Sequence, residues 1–370
     1  MAVGDYYARG RTLLTERPLV LGLVVALVIL FLDAVRQLVT GGLPLAGVAT
    51  FLWEGIILGL SIGLAGIGLS MTYSILGFAN FSHGDLMTSG AFVGWATTFL
   101  IAGVGKLPLG QLLLVGGAGG INVTTLGLSA TAKPLAVLVG LVVAAAVTAL
   151  LAVAVDRVVY RPMREESGIS LLIASVGVAL VLRYLLVFVF QANNRGVTTG
   201  SLIRNVQIPI GAGSINADVH ELTLLVVALA LLLGVHFLLQ RTKLGKAMRA
   251  MADNDDLARI TGIRTERVVT ATWVLGGALT GAAGFLIALE RGTLNTDLGW
   301  LLLLLIFAAV ILGGIGSVYG AIFGGLIIGI ASRLSLIWLP SSFLRAAAFI
   351  VMVLVLLVRP SGLFKGVTTA

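Results

Sequence analysis

The sequence predicts an all-α fold, a polytopic membrane bundle of about ten transmembrane helices. Hydrophobic residues make up 58% of the 370 residues and charged residues only 11%, whereas soluble domains carry about 25% charged residues. The apolar runs are long and show no strand-like alternation. Lipid offers no partners to backbone amides, so such runs must be helical. We expect broken or re-entrant elements near 75–85 and 313–320, where polar or glycine-rich residues interrupt the apolar pattern.

Each helix is predicted from an apolar run close to the ~20 residues that cross a bilayer. The two shortest, 300–313 and 318–332, either cross twice or enter and return. No soluble domain fits between the runs, so residues 1–370 are predicted to form one transmembrane domain. Charged residues follow the first run where a signal peptide would have its cleavage site, so we expect that run to be retained. The ten runs are 18–38, 52–74, 86–104, 134–155, 169–190, 222–239, 268–289, 300–313, 318–332 and 343–358.

The distribution of basic residues predicts that both chain ends and the loop 240–267 are cytoplasmic. With the amino terminus inside, the cytoplasmic segments hold 15 of the 24 Lys and Arg residues, and the opposite side holds seven. This bias follows the positive-inside rule for multi-pass proteins of the cytoplasmic membrane. The net charge of +8 therefore reflects short loops at a lipid bilayer, and we expect no nucleic-acid partner.

Glycine spacing predicts close contacts between helices. Gly55, Gly59 and Gly63 recur every fourth residue, and a second stripe contains Gly316, Gly320 and Gly324. Small residues at this spacing let helix backbones approach closely in a membrane. A packing seam is the favoured interpretation, and a hinge is the alternative.

Nothing in the sequence indicates an enzyme, a cofactor or a metal site. There is no cysteine, the three histidines lie far apart, and no nucleophile–base pair is recognisable. Neither Gly105-Lys106 nor Gly245-Lys246 is followed by the hydroxyl residue of a nucleotide-binding loop. We therefore predict no catalytic residues, and any ATP that drives transport would be bound by separate ATPase subunits.

Two interruptions of the apolar pattern are candidates for a substrate pathway. Polar side chains at membrane depth are costly and are by default functional candidates, and short helices around a glycine-rich break are typical of transport sites. The alternative is that the polar residues only cap the next helix. The candidates are Asn80, Ser82, His83 and Asp85 in the first break, and Gly313, Gly316 and Ser317 in the second.

The loop 240–267 contains a basic amphipathic segment that ends at a glycine. Its apolar residues share a helical face, with basic residues turned elsewhere. Such a segment either lies on anionic lipid or docks a cytoplasmic subunit in an apolar groove. The candidate coupling residues are Leu244, Met248, Arg249, Asp253, Leu257, Ala258 and Gly262.

Six motifs in chain order resemble the permeases of branched-chain amino acid ABC transporters, of the type that pairs with a second, related permease. They cover roughly residues 55–365, and the departures are the extra first span and a lengthened 105–133 loop. The motifs are Gly68-Leu69-Ser70-Met71-Thr72-Tyr73 with the stretch Asn80–Asp85, Tyr160-Arg161-Pro162-Met163-Arg164, Leu244–Ala250 with Gly262-Ile263, Ala283-Gly284, Gly313–Ala321, and Arg359-Pro360-Ser361-Gly362-Leu363-Phe364.

The resemblance implies an assembly of several subunits. Two related permeases would form a heterodimer, two cytoplasmic ATPases would drive it, and an external binding protein would deliver the solute. Leucine, isoleucine or valine is the implied substrate, although similar permeases carry urea, short amides or other amino acids. An ion-coupled secondary transporter of a small polar solute is the alternative function, and it would need no ATPase-docking loop.

Overall fold

A computed structural model describes residues 18–107, 126–198 and 204–364. The described chain is almost entirely helical, with two small two-stranded sheets. The helices are α1 (Pro18–Val39), α2 (Leu45–Leu76), α3 (His83–Gly103), α4 (Pro134–Val155), α5 (Gly168–Phe190), α6 (Val219–Arg241), α7 (Lys243–Asp253), α8 (Asp255–Ile260), α9 (Thr265–Arg291), α10 (Leu298–Gly313), α11 (Val318–Leu334) and α12 (Leu344–Val358). The strands are β1 (Arg195–Gly196), β2 (Asn205–Ile210), β3 (Gly213–Asp218) and β4 (Thr293–Leu294).

The predicted polytopic helical bundle is confirmed. Eight helical segments of the described chain are long and apolar enough to cross a membrane, and α10 is a shorter apolar helix. Helix α1 covers the first predicted run. The basic residues before position 18, the glycine-rich part of the 105–133 gap and Lys365 lie outside the described residues.

Three helices form the centre of the bundle. The apolar stretches of α2, α9 and α3 are the most deeply buried, whereas those of α5, α6 and α12 are mostly exposed. Large apolar side chains cover the outer face of α5, including Leu180, Val181 and Phe188. In a chain that spans a membrane, an exposed apolar surface of this kind faces lipid or another membrane subunit.

The first glycine stripe is a packing seam, as the sequence predicts. A Cβ added at Gly55 or Gly59 would lie 2.7 Å from a backbone Cα of α11, and one at Gly63 would lie 3.2 Å from another. The second stripe is only partly a seam. Gly320 and Gly324 pack against the backbone of α10, but Gly316 has a φ of +87° and lies in the turn between α10 and α11.

The two ends of the bundle differ. One end carries the β2–β3 hairpin and the short β1–β4 pairing, which joins residues 195–196 to 293–294; we call it the hairpin end. The other carries α7 and α8 between α6 and α9, and we call it the α7–α8 end. Thr242 caps α7 through Gly245 N–H, and Asn254 caps α8 through Leu257 N–H. The left-handed Gly262 (φ +85°) follows α8 and turns the chain towards α9.

Candidate functional site

Helix α3 begins inside the bundle rather than at its end. Helix α2 ends at Leu76, left-handed Gly77 turns the chain back, and residues 77–82 (the α2–α3 break) are not helical. The Phe81 N–H donates to Ser175 Oγ at 2.9 Å, and Ser175 lies about 10 Å along α5 from its first residue, given the 1.5 Å helical rise. The break predicted near 75–85 is therefore present at membrane depth, where irregular backbone needs protein or a cavity around it.

Polar side chains of the α2–α3 break are hydrogen-bonded to one another and to Tyr160, which lies in the π-helical segment Asp156–Tyr160 that follows α4. Asn80 Oδ1 accepts hydrogen bonds from Ser82 Oγ at 2.7 Å and from the Tyr160 hydroxyl at 3.2 Å. Asn80 and Ser82 are both fully buried. The Tyr160 ring stacks on Trp273 with centroids 5.2 Å apart. Asn80 Nδ2 is buried and has no hydrogen-bond partner among the described residues, so one polar group of the break remains available.

His83 joins three central helices. Its Nε2 lies 2.9 Å from the Ala65 carbonyl oxygen of α2 and 3.1 Å from Thr280 Oγ1 of α9. The side chain is 3% exposed. In the part of the chain that the structure describes, no cluster of three His, Asp or Glu side chains surrounds a possible metal position. His83 therefore acts here as a hydrogen-bonding link at the start of α3.

Asp85 is paired with Arg183, a charged residue within the predicted apolar run 169–190. Its Oδ1 accepts from Arg183 Nε at 3.1 Å, and Arg183 Nη1 lies 3.7 Å from Asp297 Oδ1. The guanidinium carbon lies 4.9 Å from the centre of the Trp300 ring. Arg183 lies about 22 Å along α5 from its first residue, about two thirds of the length of this helix. The isolated arginine in the apolar run was the available signal, but nothing in the sequence named its partners.

The start of α10 meets the start of α3. Gly299 N–H donates to Thr88 Oγ1 at 3.0 Å, and a Cβ added at Gly84 would lie 2.8 Å from the Gly299 carbonyl oxygen. With 16 residues, α10 is about 24 Å long, less than the ~30 Å hydrocarbon core of a bilayer. The second helix terminus inside the bundle is thus at 297–299, a position that sequence reasoning missed.

Residues Gly313, Gly316 and Ser317 lie elsewhere, in the tight turn between α10 and α11 at the α7–α8 end. The turn is bonded by the carboxyl-terminal segment, whose Phe364 N–H donates to the Gly313 carbonyl at 2.9 Å. Ser317 Oγ caps α11 by accepting from Gly320 N–H at 2.9 Å. The expected broken element near 313–320 is a turn joining two helices, because an interrupted apolar pattern does not give its depth. The pathway role of these three residues stays a prediction.

The amphipathic segment is two helices, and its apolar residues divide between two surroundings. Met248, Met251 and Ala258 are 4%, 6% and 2% exposed within this chain's own core. Leu257 and Ile260 are 54% and 81% exposed. The bundle itself covers Met248 and Ala258, so these two side chains are not free for a partner, and the coupling role of the segment stays a prediction.

The remaining coupling candidates lie on the surface or support the segment. Leu244 and Arg249 are half-buried, and Arg249 Nη1 donates to Gln240 Oε1 at 3.1 Å. Asp253 and Gly262 are exposed. A cavity of about 200 Å³ separates this segment from the α2–α3 break, lined among others by Phe78, Tyr160, Met251, Asp255 and Glu266.

Comparison with known proteins agrees with this arrangement. The chain is similar to the high-affinity branched-chain amino acid transport system permease protein LivH of Escherichia coli K12, with 29% identity over 84% of this chain and 94% of LivH. It is 27% identical to the corresponding protein BraD of Pseudomonas aeruginosa, over 84% of this chain and 93% of BraD. A shorter match, 32% identical over 28% of this chain and 29% of the relative, is to the xylose transport system permease protein XylH of Haemophilus influenzae. No solved structure matches.

The family profile described as branched-chain amino acid transport system, permease component, matches residues 51–358. That range contains α9, the α2–α3 break, α7 and α8, and both helix starts inside the bundle. It begins after α1, the extra first span of the sequence. The ion-coupled secondary transporter is not favoured by these matches. The chain is a multi-pass membrane protein that belongs to the permease-component family of branched-chain amino acid transport systems.

Proposed function

We propose that this chain is the substrate-conducting subunit of an ATP-driven importer of branched-chain amino acids. The observation that carries the proposal is the family match across nearly the whole bundle, from residue 51 to residue 358. The relatives LivH and BraD are permease proteins of high-affinity branched-chain amino acid transport systems by name. The chain itself would not hydrolyse ATP and would hold no cofactor.

The partners of the proposal follow from the family resemblance. A second, related permease completes the membrane unit, two cytoplasmic ATPases bind ATP, and an external binding protein delivers the solute. Both chain ends and the α7–α8 end face the cytoplasm in this proposal. The excess of basic residues in 240–267 supports that orientation.

The proposed docking surface for an ATPase is the exposed apolar pair on α8. Leu257 and Ile260 project outward beside exposed Asp256 and Arg259. Apolar side chains on a short helix fill a groove of a partner, and charges at the rim fix the orientation. Buried Met248 then has a different role: it anchors α7 to the bundle, so that a displacement of α8 by the ATPase also displaces the helices of the permease.

The proposed substrate pathway passes the start of α3. Asn80, Ser82, His83 and Asp85 are all buried at membrane depth, where polar groups are costly unless they serve a function. Arg183, Asp297 and Trp300 join this group through their contacts with Asp85 and with one another. A capping role for the polar residues remains the alternative, and loss of transport without loss of folding separates the two.

The double variant Leu257→Asp with Ile260→Asp tests the docking proposal. We expect normal membrane insertion, an unchanged Tm of the isolated permease, loss of co-purification with the ATPases, and loss of leucine uptake. The control Leu257→Met with Ile260→Val keeps the apolar surface and should behave as wild type. Met248→Asp should instead lower the Tm, because a charge would be buried in the core. Normal ATPase binding by the double variant would overturn the docking surface.

A further inference from the structure

The face of the bundle that contains Arg183 cannot be an ordinary lipid face. On α5, Val181 and Tyr184 are 67% and 69% exposed, whereas the Arg183 side chain between them is only 19% exposed. Asp297, 3.7 Å away, is 61% exposed. An open carboxylate at this depth is too costly in hydrocarbon. The Arg183 face therefore opens on water or on another protein, which fits a pathway between two permeases.

The Asp85–Arg183 pair has polar atoms left over. Among the described residues, Asp85 Oδ2 and Arg183 Nη2 are both buried and have no hydrogen-bond partner, and the Asp85 residue is fully buried. Buried polar atoms without partners are rare and unfavourable. One is a carboxylate oxygen that needs a hydrogen-bond donor, and the other is a guanidinium nitrogen that needs an acceptor. Oδ1 of the same carboxylate and Nε of the same guanidinium are 3.1 Å apart, which places the two unpartnered atoms within the span of one small ligand with both charges.

We propose that Asp85 and Arg183 recognise the zwitterionic head group of an α-amino acid. The α-ammonium donates to Asp85 Oδ2. The α-carboxylate accepts from Arg183 Nη2 near the first turn of α10, whose dipole favours an anion. The proposal rests on the proposed function, because it assigns the specificity-determining residues of that pathway.

The arrangement selects by charge. A sugar or urea can hydrogen-bond to both atoms but brings no charge opposite to theirs, so it gains none of the Coulomb energy that an ammonium and a carboxylate gain there. The Trp300 ring beside the guanidinium keeps Arg183 in place without competing for its hydrogen bonds. The branched side chain is not read by these two residues, so they distinguish amino acids from uncharged solutes rather than leucine from valine.

The test measures occupancy of the site without measuring transport. The complete importer in lipid nanodiscs carries Leu301→Cys, four residues after Asp297 on the same face of α10 and 39% exposed. Because the native chain has no cysteine, a gel shift of this chain with a polymer-linked maleimide reports one position. We expect millimolar L-leucine to slow the labelling. Labelling at the control Val206→Cys, which is 48% exposed on the β2–β3 hairpin, should not respond to leucine.

Two ligand analogues and three variants decide between recognition and structure. 3-Methylbutylamine lacks the carboxylate and 4-methylpentanoate lacks the ammonium, and each should protect at least tenfold more weakly than leucine. Asp85→Asn and Arg183→Gln should each raise the half-protecting leucine concentration at least tenfold. The double variant Asp85→Asn with Arg183→Gln should also raise the half-protecting leucine concentration at least tenfold. A purely structural pair predicts recovery in the double variant, and such recovery would overturn the proposal.

Failure of this inference can be separated from failure of the proposed function. Leucine uptake by the wild-type complex, without leucine protection of Leu301→Cys, overturns the recognition site and leaves the importer standing. Equal protection by leucine and 3-methylbutylamine also overturns it. Loss of ATPase binding in the Leu257→Asp, Ile260→Asp double variant concerns the surface of α8 at the α7–α8 end, and it bears only on coupling. A Tm within about 2 °C of wild type shows that each variant is folded.

Discussion

The packing of α2 against α11 gives the most direct prediction of stability. Gly59→Ala places a Cβ 2.7 Å from Leu326 Cα and 2.9 Å from the Gly325 carbonyl oxygen. Both partners are backbone atoms, so no side chain can turn away. The helices must separate by 0.7 Å to reach the 3.4 Å of ordinary contact at Leu326, and this displacement extends along the whole seam.

The magnitude follows from comparison with overpacked cores. Inserting a methyl group where the surroundings cannot move costs about 1–3 kcal/mol, and at roughly 2 °C per kcal/mol the Tm should fall by about 2–6 °C. Gly234→Ala is the matched control, because nothing lies within 4 Å of the added Cβ. That control carries the same change in helix propensity, which favours alanine by about 1 kcal/mol in soluble helices.

The assay is thermal unfolding of the purified permease in detergent, followed by size-exclusion fluorescence and by tryptophan emission. Gly59→Ala should unfold below wild type, and Gly234→Ala should unfold at or above it. Equal Tm values for the two variants would refute the seam. Unchanged Tm together with a changed rate of leucine uptake would instead favour the hinge interpretation of the same stripe.

Three further predictions concern the cap of α11, the Tyr160 hydroxyl and the orientation of the chain in the membrane. Ser317→Ala removes the cap of α11 and should lower the Tm by about 2 °C, since a cap contributes about 1 kcal/mol. Tyr160→Phe removes the buried hydroxyl that contacts the α2–α3 break and should reduce leucine uptake severalfold, whereas Tyr184→Phe on the exposed face of α5 should have no effect. Single cysteines at Asn205 and Asp256 test orientation: an impermeant maleimide added to intact cells should label only the first, and labelling of the second would reverse the proposed topology.

The helices were predictable because backbone amides in lipid must hydrogen-bond within their own segment, and a long apolar run without strand-like alternation can do so only as a helix. All ten apolar runs are helical, and the break at 77–82 was visible as polar residues between two spans. The position of Arg183 inside a run was equally visible. Its partner Asp85 was not, because the two residues are 98 positions apart and helix packing alone brings them together.

The sequence pattern alone did not predict how deep a glycine-rich break lies in the bundle, or whether an apolar helix face is buried in the chain or exposed to a partner. The glycines at 313–320 interrupt an apolar pattern just as a discontinuous helix does, yet they form a turn at the α7–α8 end. The amphipathic pattern of α7 shows that one face is apolar, but the same pattern serves a face buried in the chain and a face offered to a partner. Met248 and Ile260 illustrate the two cases, at 4% and 81% exposure. Distinguishing them requires the three-dimensional contacts of the bundle.

Two hydrogen bonds connect α7 with α11. Arg249 on α7 donates to Gln240 at 3.1 Å, and Gln240 donates to the Tyr319 hydroxyl at 3.3 Å. Tyr319 lies in the first turn of α11, beside the turn containing Gly316, whose added Cβ would lie 3.5 Å from Ser74 near the end of α2. A displacement of α7 therefore reaches α11 and the end of α2, which leads directly into the α2–α3 break. Because backbone atoms of α2 and α11 are in direct contact along the glycine seam, the two helices transmit such a displacement as one rigid pair.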